Sequence, residues 1–149
     1  MQRFRLGLCQ LGVGSVKAAN LEAASAAVAE AADDGADLVV LPECFNSPYG
    51  TSFFPEYAEP LSPGNQTYDA LVAMAVDAGV VLVGGSVPEK GDDGNLYNTS
   101  LVFDAQGNEL GRHRKVYTTT HTITITITIT HTLIHMPDGL TCEIVGPFV

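Results

Sequence analysis

Apolar residues recur along residues 3–116 in runs and spacings that alternate between those typical of strands and those typical of helices. The run Phe4–Leu11 predicts a buried strand, and Leu38–Leu41, ended by Pro42, predicts a second one. Between them, residues 16–32 are rich in alanine with apolar positions at helical spacing, and Asp33-Asp34-Gly35 supplies a stop signal. A strand, a helix and a strand in this order predict a parallel pair joined by a right-handed crossover.

The next segment, from Glu43 to about Gln66, predicts a long loop because prolines and aromatic residues are spread through it. Loops of this length in a compact domain are often functional. A second amphipathic helix is predicted from Tyr68 to Val76, closed by Gly79. The loop therefore separates two regular helices.

Three more strands are predicted before residue 117. They are Val80–Val87, Leu96–Phe103 and Glu109–Val116, and the last two are joined by a segment with the composition of a turn, residues 104–108. We interpret residues 1–117 as one layered α/β unit.

The pattern changes at Thr118, and from there to Thr132 the chain reads TTTHTITITITITHT. As a strand, this segment would place histidines and isoleucines on one face and threonines on the other. Such a dipeptide repeat is what a short tandem nucleotide repeat would encode, so we hypothesise read-through of non-coding sequence or a faulty gene prediction. Its uncharged β-branched composition is aggregation-prone, which we interpret as a liability. Residues 118–149 are accordingly assigned as a low-complexity repeat with a tail.

Composition narrows the class of protein. With 46% hydrophobic and 16% charged residues, the chain is typical of a globular protein. A formal net charge of −10 disfavours nucleic acid and anionic membrane surfaces as partners. The three cysteines are widely spaced, which argues against a disulfide framework or a zinc site and favours a reducing compartment. No leader or membrane span is recognised, and cytoplasm is the expected location.

Two residues at predicted strand ends are candidates for chemistry. Glu43 follows the second strand and Lys115 closes the basic cluster 112–115 at the end of a later one. Ligands bind outside the carboxyl ends of strands in open α/β sheets, where these groups could act as general base and oxyanion stabiliser. Spacing alone favours the ordinary interpretation, a strand-end glutamate beside a surface basic cluster.

The sequence around these residues resembles that of the nitrilase superfamily of carbon–nitrogen hydrolases. Leu41–Gly50 reads LPECFNSPYG, which is similar to the segment that bears the catalytic glutamate, in particular in the omega-amidase branch. His113–Val116, HRKV, matches the segment of the catalytic lysine. The likeness continues through FFPEYAE at 53–59, GGSVPE at 84–89 and LYNT at 96–99, and runs from about Arg3 to Val116.

The resemblance implies a Glu-Lys-Cys mechanism in which Glu43 moves protons, Lys115 stabilises the oxyanion and a cysteine forms a thioester. It implies an αββα sandwich, of which this chain would hold the first half. In this chain the strand-like Thr/Ile segment follows that half. The implied substrate is a small-molecule amide of a dicarboxylic acid such as 2-oxoglutaramate. No metal or organic cofactor is implied, and intact members commonly form homodimers. Tyr49 is assigned to substrate binding as part of the pocket wall, with a packing role as the alternative.

The chain departs from the family after Val116, where the expected Gly-x-x-Cys-Tyr-Asp strand is absent. The segment Gly139–Glu143 weakly resembles that strand, and Cys142 is a minor candidate for a displaced nucleophile. Cys9 and Cys44 are interpreted as buried apolar residues. We therefore expect this chain to be a truncated, inactive fragment. A non-catalytic α/β binding module and a mistaken gene product are the alternatives.

Two rival motifs are weaker. Gly12-Val13-Gly14 sits between a strand and a helix, as a dinucleotide fingerprint would, but the third glycine is absent. His121, His131 and His135 suggest a metal site, but the first two stand a strand length of about 33 Å apart, too far for one ion. Both motifs are interpreted as incidental.

Overall fold

The computed structural model of the protein describes residues 3–115 and 141–145. In these residues the chain forms a seven-stranded sheet, three α-helices and a 3-10 turn at Thr51–Phe53. The helices are α1 (Lys17–Asp33), α2 (Phe54–Tyr57) and α3 (Gln66–Ala78). The strands are β1 (Arg3–Leu8), β2 (Leu38–Val40), β3 (Val81–Val83), β4 (Val87–Lys90), β5 (Leu96–Phe103), β6 (Glu109–Arg114) and β7 (Thr141–Val145).

The sheet runs in the order β4-β5-β3-β2-β1-β7, and β6 pairs with β5. Strands β7, β1, β2 and β3 are parallel neighbours, whereas β5 is antiparallel to β3, β4 and β6. The predicted parallel pair is confirmed, with Leu6 opposite Leu38. Thr99 pairs with both β4 and β6, so these two strands occupy opposite edges of β5.

Helix α1 packs closely on the sheet because both surfaces present small groups. The predicted apolar positions of the helix, from Leu21 to Ala31, are buried. A side-chain carbon added at Gly7 of β1 would lie 2.9 Å from the Ala31 methyl, so the glycine permits this close approach. Helix α3 ends at Gly79, whose left-handed φ of 66° closes the helix as predicted.

The two faces of the sheet differ in burial. Val39, Leu82 and Phe103 are fully buried in the core formed with α1 and α3. On the other face Val40, Val81 and Val102 are only half-buried, whereas Leu38 and Val83 on that face are buried. On β1 that second face carries Phe4, Leu6 and Leu8, the last 36% exposed. We call this second face the open face because Leu8, Val40, Val81 and Val102 on it stay partly exposed.

Two predicted elements need correction. The single strand expected at Val80–Val87 is two strands, β3 and β4, because the chain turns at Gly84 and Gly85. Gly85 has a φ of +55° and forms a hydrogen bond from its N–H back to the carbonyl of Val83. The loop expected from Glu43 to Gln66 contains the 3-10 turn and α2, and Gln66 already belongs to α3.

The Thr/Ile repeat, with His121 and His131, and the following His135 lie outside the residues that the structure describes. Of the tail, residues 141–145 form β7, which lies parallel to β1 with Phe4 opposite Cys142. Among the helices that the structure describes, none is long and apolar enough to cross a membrane.

Candidate active site

Glu43 is placed by a tight crossing of two chain segments at the end of β2. The backbone of Glu43 forms an isolated parallel bridge with Ser86, and the N–H of Ser86 donates to the carbonyl of Pro42. A side-chain carbon at Gly85 would lie 2.1 Å from that same carbonyl oxygen. The next residue, Cys44, has a left-handed φ of 54°, which is strained for a residue with a side chain. Close backbone packing therefore fixes where the Glu43 carboxylate points.

Lys115 reaches the same point from the end of β6. Its backbone N–H donates to the carbonyl of Asn98 at 2.8 Å, and its Nζ donates to Glu43 Oε1 at 2.7 Å. The Glu43 side chain is 12% exposed and that of Lys115 27%. Charges this sheltered interact more strongly than a surface pair in water. The two candidate residues therefore meet in a half-buried ion pair.

Two further donors complete the shell of the carboxylate. Asn98 Nδ2 donates to Glu43 Oε1 at 2.8 Å, and the Tyr49 hydroxyl donates to Oε2 at 3.0 Å. Tyr49 is 66% exposed, so it is not a packing residue of the core. All three residues singled out from the sequence, Glu43, Lys115 and Tyr49, are thus brought together.

These contacts favour the charged form of Glu43. Burial alone would raise the pKa of its carboxyl, but the hydrogen bonds from Lys115, Tyr49 and Asn98 and the ammonium charge outweigh burial. The net result is a pKa below the ordinary value of 4.5. Glu43 is therefore ionised at neutral pH and able to accept a proton.

A second buried carboxylate holds β6 in place. Glu89 is 2% exposed and accepts hydrogen bonds from Arg112, Arg114 and Thr99. Arg114 precedes Lys115, and neighbouring side chains of an extended chain point apart. Anchoring the arginines on Glu89 therefore leaves Lys115 to face Glu43.

Sequence reasoning assigned no role to Asn98, Gly85 or Glu89. Each lies in a segment that the family resemblance includes, LYNT or GGSVPE, but within those segments no spacing distinguishes it. Asn98 is an interior position of a strand, and its proximity to Glu43 depends on how β5 lies against the end of β2. The hydrogen bond between Asn98 and Glu43 joins residues 55 positions apart in the sequence.

Two cysteines belong to the described side chains, and neither suits a nucleophile. Cys9 and Cys44 are buried, and burial, followed by the nearby carboxylate, raises the pKa of each thiol to about 11. A thiol with that pKa stays protonated at neutral pH. Strand β7, which contains Cys142, is parallel to β1 and β2, so its carboxyl end approaches the sheet edge where Glu43 lies.

A metal would need a different set of ligands. Among the described residues no group of three or more histidine, cysteine, aspartate or glutamate side chains could hold an ion. The site that the described residues do form consists of a carboxylate, an ammonium, an amide and a phenol. These groups can move protons and stabilise negative charge.

Comparison with known proteins gives a consistent result. Residues 5–139 match the family model of carbon–nitrogen hydrolases. The chain is 51% identical over 117 residues to omega-amidase NIT2 of Xenopus tropicalis, covering 78% of this chain and 41% of that protein. It is 54% identical to omega-amidase NIT2 of Danio rerio, with the same coverage. The chain thus spans about two fifths of the length of these relatives.

Solved structures agree with the sequence relatives. Nit3 of Saccharomyces cerevisiae, a member of branch 10 of the nitrilase superfamily, superposes with a TM-score of 0.66 at 38% identity, covering 71% of this chain and 41% of that one. A glutamate-to-glutamine mutant of the amidase from Nesterenkonia sp. AN1 superposes with a TM-score of 0.62 at 25% identity, covering 74% of this chain and 43% of that one. In that amidase acrylamide has added to the active-site cysteine.

Proposed function

The chain belongs to the carbon–nitrogen hydrolase family, and from that premise we propose that this segment supplies the base and the oxyanion-stabilising cation of an enzyme that releases ammonia from the terminal amide of a small dicarboxylic acid. One observation carries the proposal: the Glu43 carboxylate and the Lys115 ammonium meet at 2.7 Å in a sheltered site. The substrate class is taken from the relatives, two of which are omega-amidases about half identical to this chain. Succinamate and 2-oxoglutaramate are the compounds to test.

In the proposed reaction Glu43 accepts the proton of a cysteine thiol, and the thiolate attacks the amide carbon. The carbonyl oxygen becomes an oxyanion beside the Lys115 ammonium, which stabilises it electrostatically. As the tetrahedral intermediate collapses, the C–N bond breaks and the departing nitrogen takes the proton from Glu43. Water then attacks the thioester and gives up a proton to Glu43. Collapse of this second intermediate releases the acid and the cysteine thiolate, which takes the proton back from Glu43.

The described residues supply the base and the cation of this mechanism but no activated thiol. We therefore propose that the 149-residue chain alone releases no ammonia. Activity requires a cysteine at the carboxyl edge of the sheet, next to Glu43. The control is Cys142→Ala, because ammonia release that disappears in this variant would make Cys142 the nucleophile.

The direct test places this segment in a complete enzyme. Residues 3–115 would replace the matching segment of Danio rerio omega-amidase NIT2, and ammonia release would be measured with succinamate. We expect Glu43→Gln to lower kcat/KM on the order of 10³-fold, because glutamine cannot accept the thiol proton. Glutamine is nearly isosteric, and the Tyr49 hydroxyl can accept as well as donate a hydrogen bond, so the fold is retained.

The matched control is Glu109→Gln, which removes a carboxylate that pairs with Arg112 away from the site. This variant should leave ammonia release unchanged. Undiminished turnover in the Glu43→Gln chimera would remove Glu43 from the mechanism. A folded wild-type chimera without activity would favour the alternative function, a non-catalytic binding module.

A further inference from the structure

Asn98 is the residue in β5 that contacts both members of the ion pair. Its Nδ2 donates to Glu43 Oε1 at 2.8 Å, the same oxygen that accepts Lys115 Nζ at 2.7 Å. Its backbone carbonyl accepts the N–H of Lys115 at 2.8 Å. One residue thus fixes the head group of Glu43 and the backbone of Lys115.

The environment of Asn98 shows that packing does not explain its side chain. Asn98 is 4% exposed, and its Oδ1 is buried without a hydrogen-bond partner. A buried unpaired acceptor costs free energy that an apolar side chain at this position would avoid. The contacts made by Nδ2 and the backbone carbonyl are therefore what the residue contributes.

An amide donor on Glu43 Oε1 has a defined chemical effect. A hydrogen bond to the charged form of a carboxylate favours that form over the protonated one. The titratable groups that face Glu43 among the described side chains are Lys115 from the end of β6, Tyr49 from the loop after β2, and the neighbouring Cys44 thiol. Asn98 is the neutral member of this shell, so its donor acts at every pH.

We propose that Asn98 is a positioning residue that aligns Glu43 with Lys115 and keeps the carboxylate ready to accept a proton, a role that rests on the proposed function. Asn98 itself does not touch the reacting atoms in this role. Removing its side chain should shift the pH at which Glu43 is protonated and leave substrate affinity nearly unchanged.

The first measurement needs no catalysis. In the 149-residue chain labelled with ¹³C-glutamate, the side-chain carboxyl signal of Glu43 is identified by its absence in Glu43→Gln and is then titrated. We expect the midpoint to lie below 4.5 in the wild type. It should rise by about one pH unit or more in Asn98→Asp, where a donor is replaced by a like charge.

The matched control is Asn95→Asp, since Asn95 also donates its Nδ2 to a carboxylate, Asp93, at 2.9 Å, but in an exposed turn. This control should leave the Glu43 titration unchanged. If Asn98→Asp does not fold, Asn98→Ala removes the same donor without adding a charge and should shift the midpoint in the same direction. An unchanged Glu43 midpoint in a folded Asn98 variant would overturn the proposal.

The second measurement uses the active chimera. In Asn98→Ala we expect kcat to fall at least tenfold at low pH with KM nearly unchanged. The acid limb of the pH profile should shift to higher pH. A merely structural defect would lower activity equally at all pH values. If the midpoint shifts but the wild-type chimera is inactive, the proposed function fails while the effect of Asn98 on Glu43 stands. If the chimera is active and neither readout moves, only the role of Asn98 fails.

Discussion

At the scale of single residues, the carboxylates of this protein differ in how much of the fold depends on them. Glu89 is almost wholly buried and forms ion pairs with two guanidinium groups, whereas Glu109 pairs with one of these arginines at the surface. Burial alone would raise the pKa of Glu89, but the hydrogen bonds from Arg114 and Thr99 and the two positive charges lower it. The folded state therefore stabilises the charged form of Glu89 more than the unfolded state does.

We expect Glu89→Gln to lower the free energy of unfolding at pH 7 by about 2 kcal/mol, below the usual cost of breaking a buried ion pair because both guanidiniums are partly exposed. Because the folded pKa is depressed, this contribution is complete above the unfolded value of about 4.3 and is lost as the pH falls through the folded pKa. Urea unfolding at pH 7 and pH 3 measures the difference. Glu109→Gln should cost no more than about 0.5 kcal/mol at either pH.

Gly85 is the glycine whose replacement should damage the site most directly. In Gly85→Ala the new methyl would overlap the carbonyl of Pro42, in a left-handed conformation. We expect a loss of about 3 kcal/mol of stability from overlap and strain together, with displacement of Glu43. Thermal unfolding measures the loss, and ammonia release by the chimera reports the displacement.

Gly94→Ala is the matched control, because Gly94 also has a positive φ, of +80°, but nothing lies within 4 Å of the added carbon. It carries the conformational strain alone, about 1 kcal/mol. Equal effects of the two substitutions would mean that the crossing at Pro42 does not determine the geometry of the site.

At this scale the sequence indicates part of the site. Glu43 and Lys115 are predicted from the sequence because both follow strands and both lie in motifs that resemble those of the family. Asn98 and Gly85 are not found, because their contacts depend on how β5 and the Gly84-Gly85 turn approach the end of β2. A glycine pair inside an apolar run does not by itself reveal a turn.

At the scale of elements, helix α3 depends on one row of side chains. Leu71 is fully buried, and its methyl groups would lie within 3.0 Å of a side-chain carbon at Gly84. The helix therefore packs directly on the turn that approaches Glu43. We therefore expect the stability of α3 and the geometry of the site to be coupled through this contact.

Leu71→Ala should lower the free energy of unfolding by about 3 kcal/mol, through lost burial and the cavity left behind. Val76→Ala in the same helix is the control, since Val76 is 44% exposed. That substitution should change stability by less than about 0.5 kcal/mol. Chemical denaturation with an unchanged m-value is the measurement, and equal effects would contradict the packing of α3 described above.

Periodicity predicts the long elements well and the short ones less well. The apolar spacing of α1 and α3 and the run of β5 coincide with the observed elements because each spans several turns or pleats. The division into β3 and β4 and the short helix α2 depend on contacts with distant segments. Local pattern therefore does not determine them.

At the scale of the whole molecule, we expect the open face to make intermolecular contacts. Its half-buried valines and Leu8 form an apolar surface opposite the helix layer. Covering apolar area stabilises an association by about 25 cal/mol per Å². Large exposed apolar patches mark interaction surfaces.

We therefore expect the 149-residue chain to self-associate, as measured by light scattering across a concentration series. Leu8→Glu places a charge on the open face and should reduce the association at least tenfold. Val76→Glu places the same charge on the helix layer, at a site of similar exposure, and should leave the association unchanged. A monomer at all concentrations would mean that the open face is covered within one chain.

The pairing of β1 with β7 also dictates the order in which the protein can fold. Arg3 lies opposite Thr141, so β1 acquires this neighbour only after all the residues between the two strands have been synthesised. Closing so large a loop is slow, since folding rates fall as native contacts become more distant in sequence. Until β7 arrives, one edge of β1 exposes unpaired N–H and carbonyl groups. During synthesis this edge is a site for non-native pairing with other chains until β7 is available.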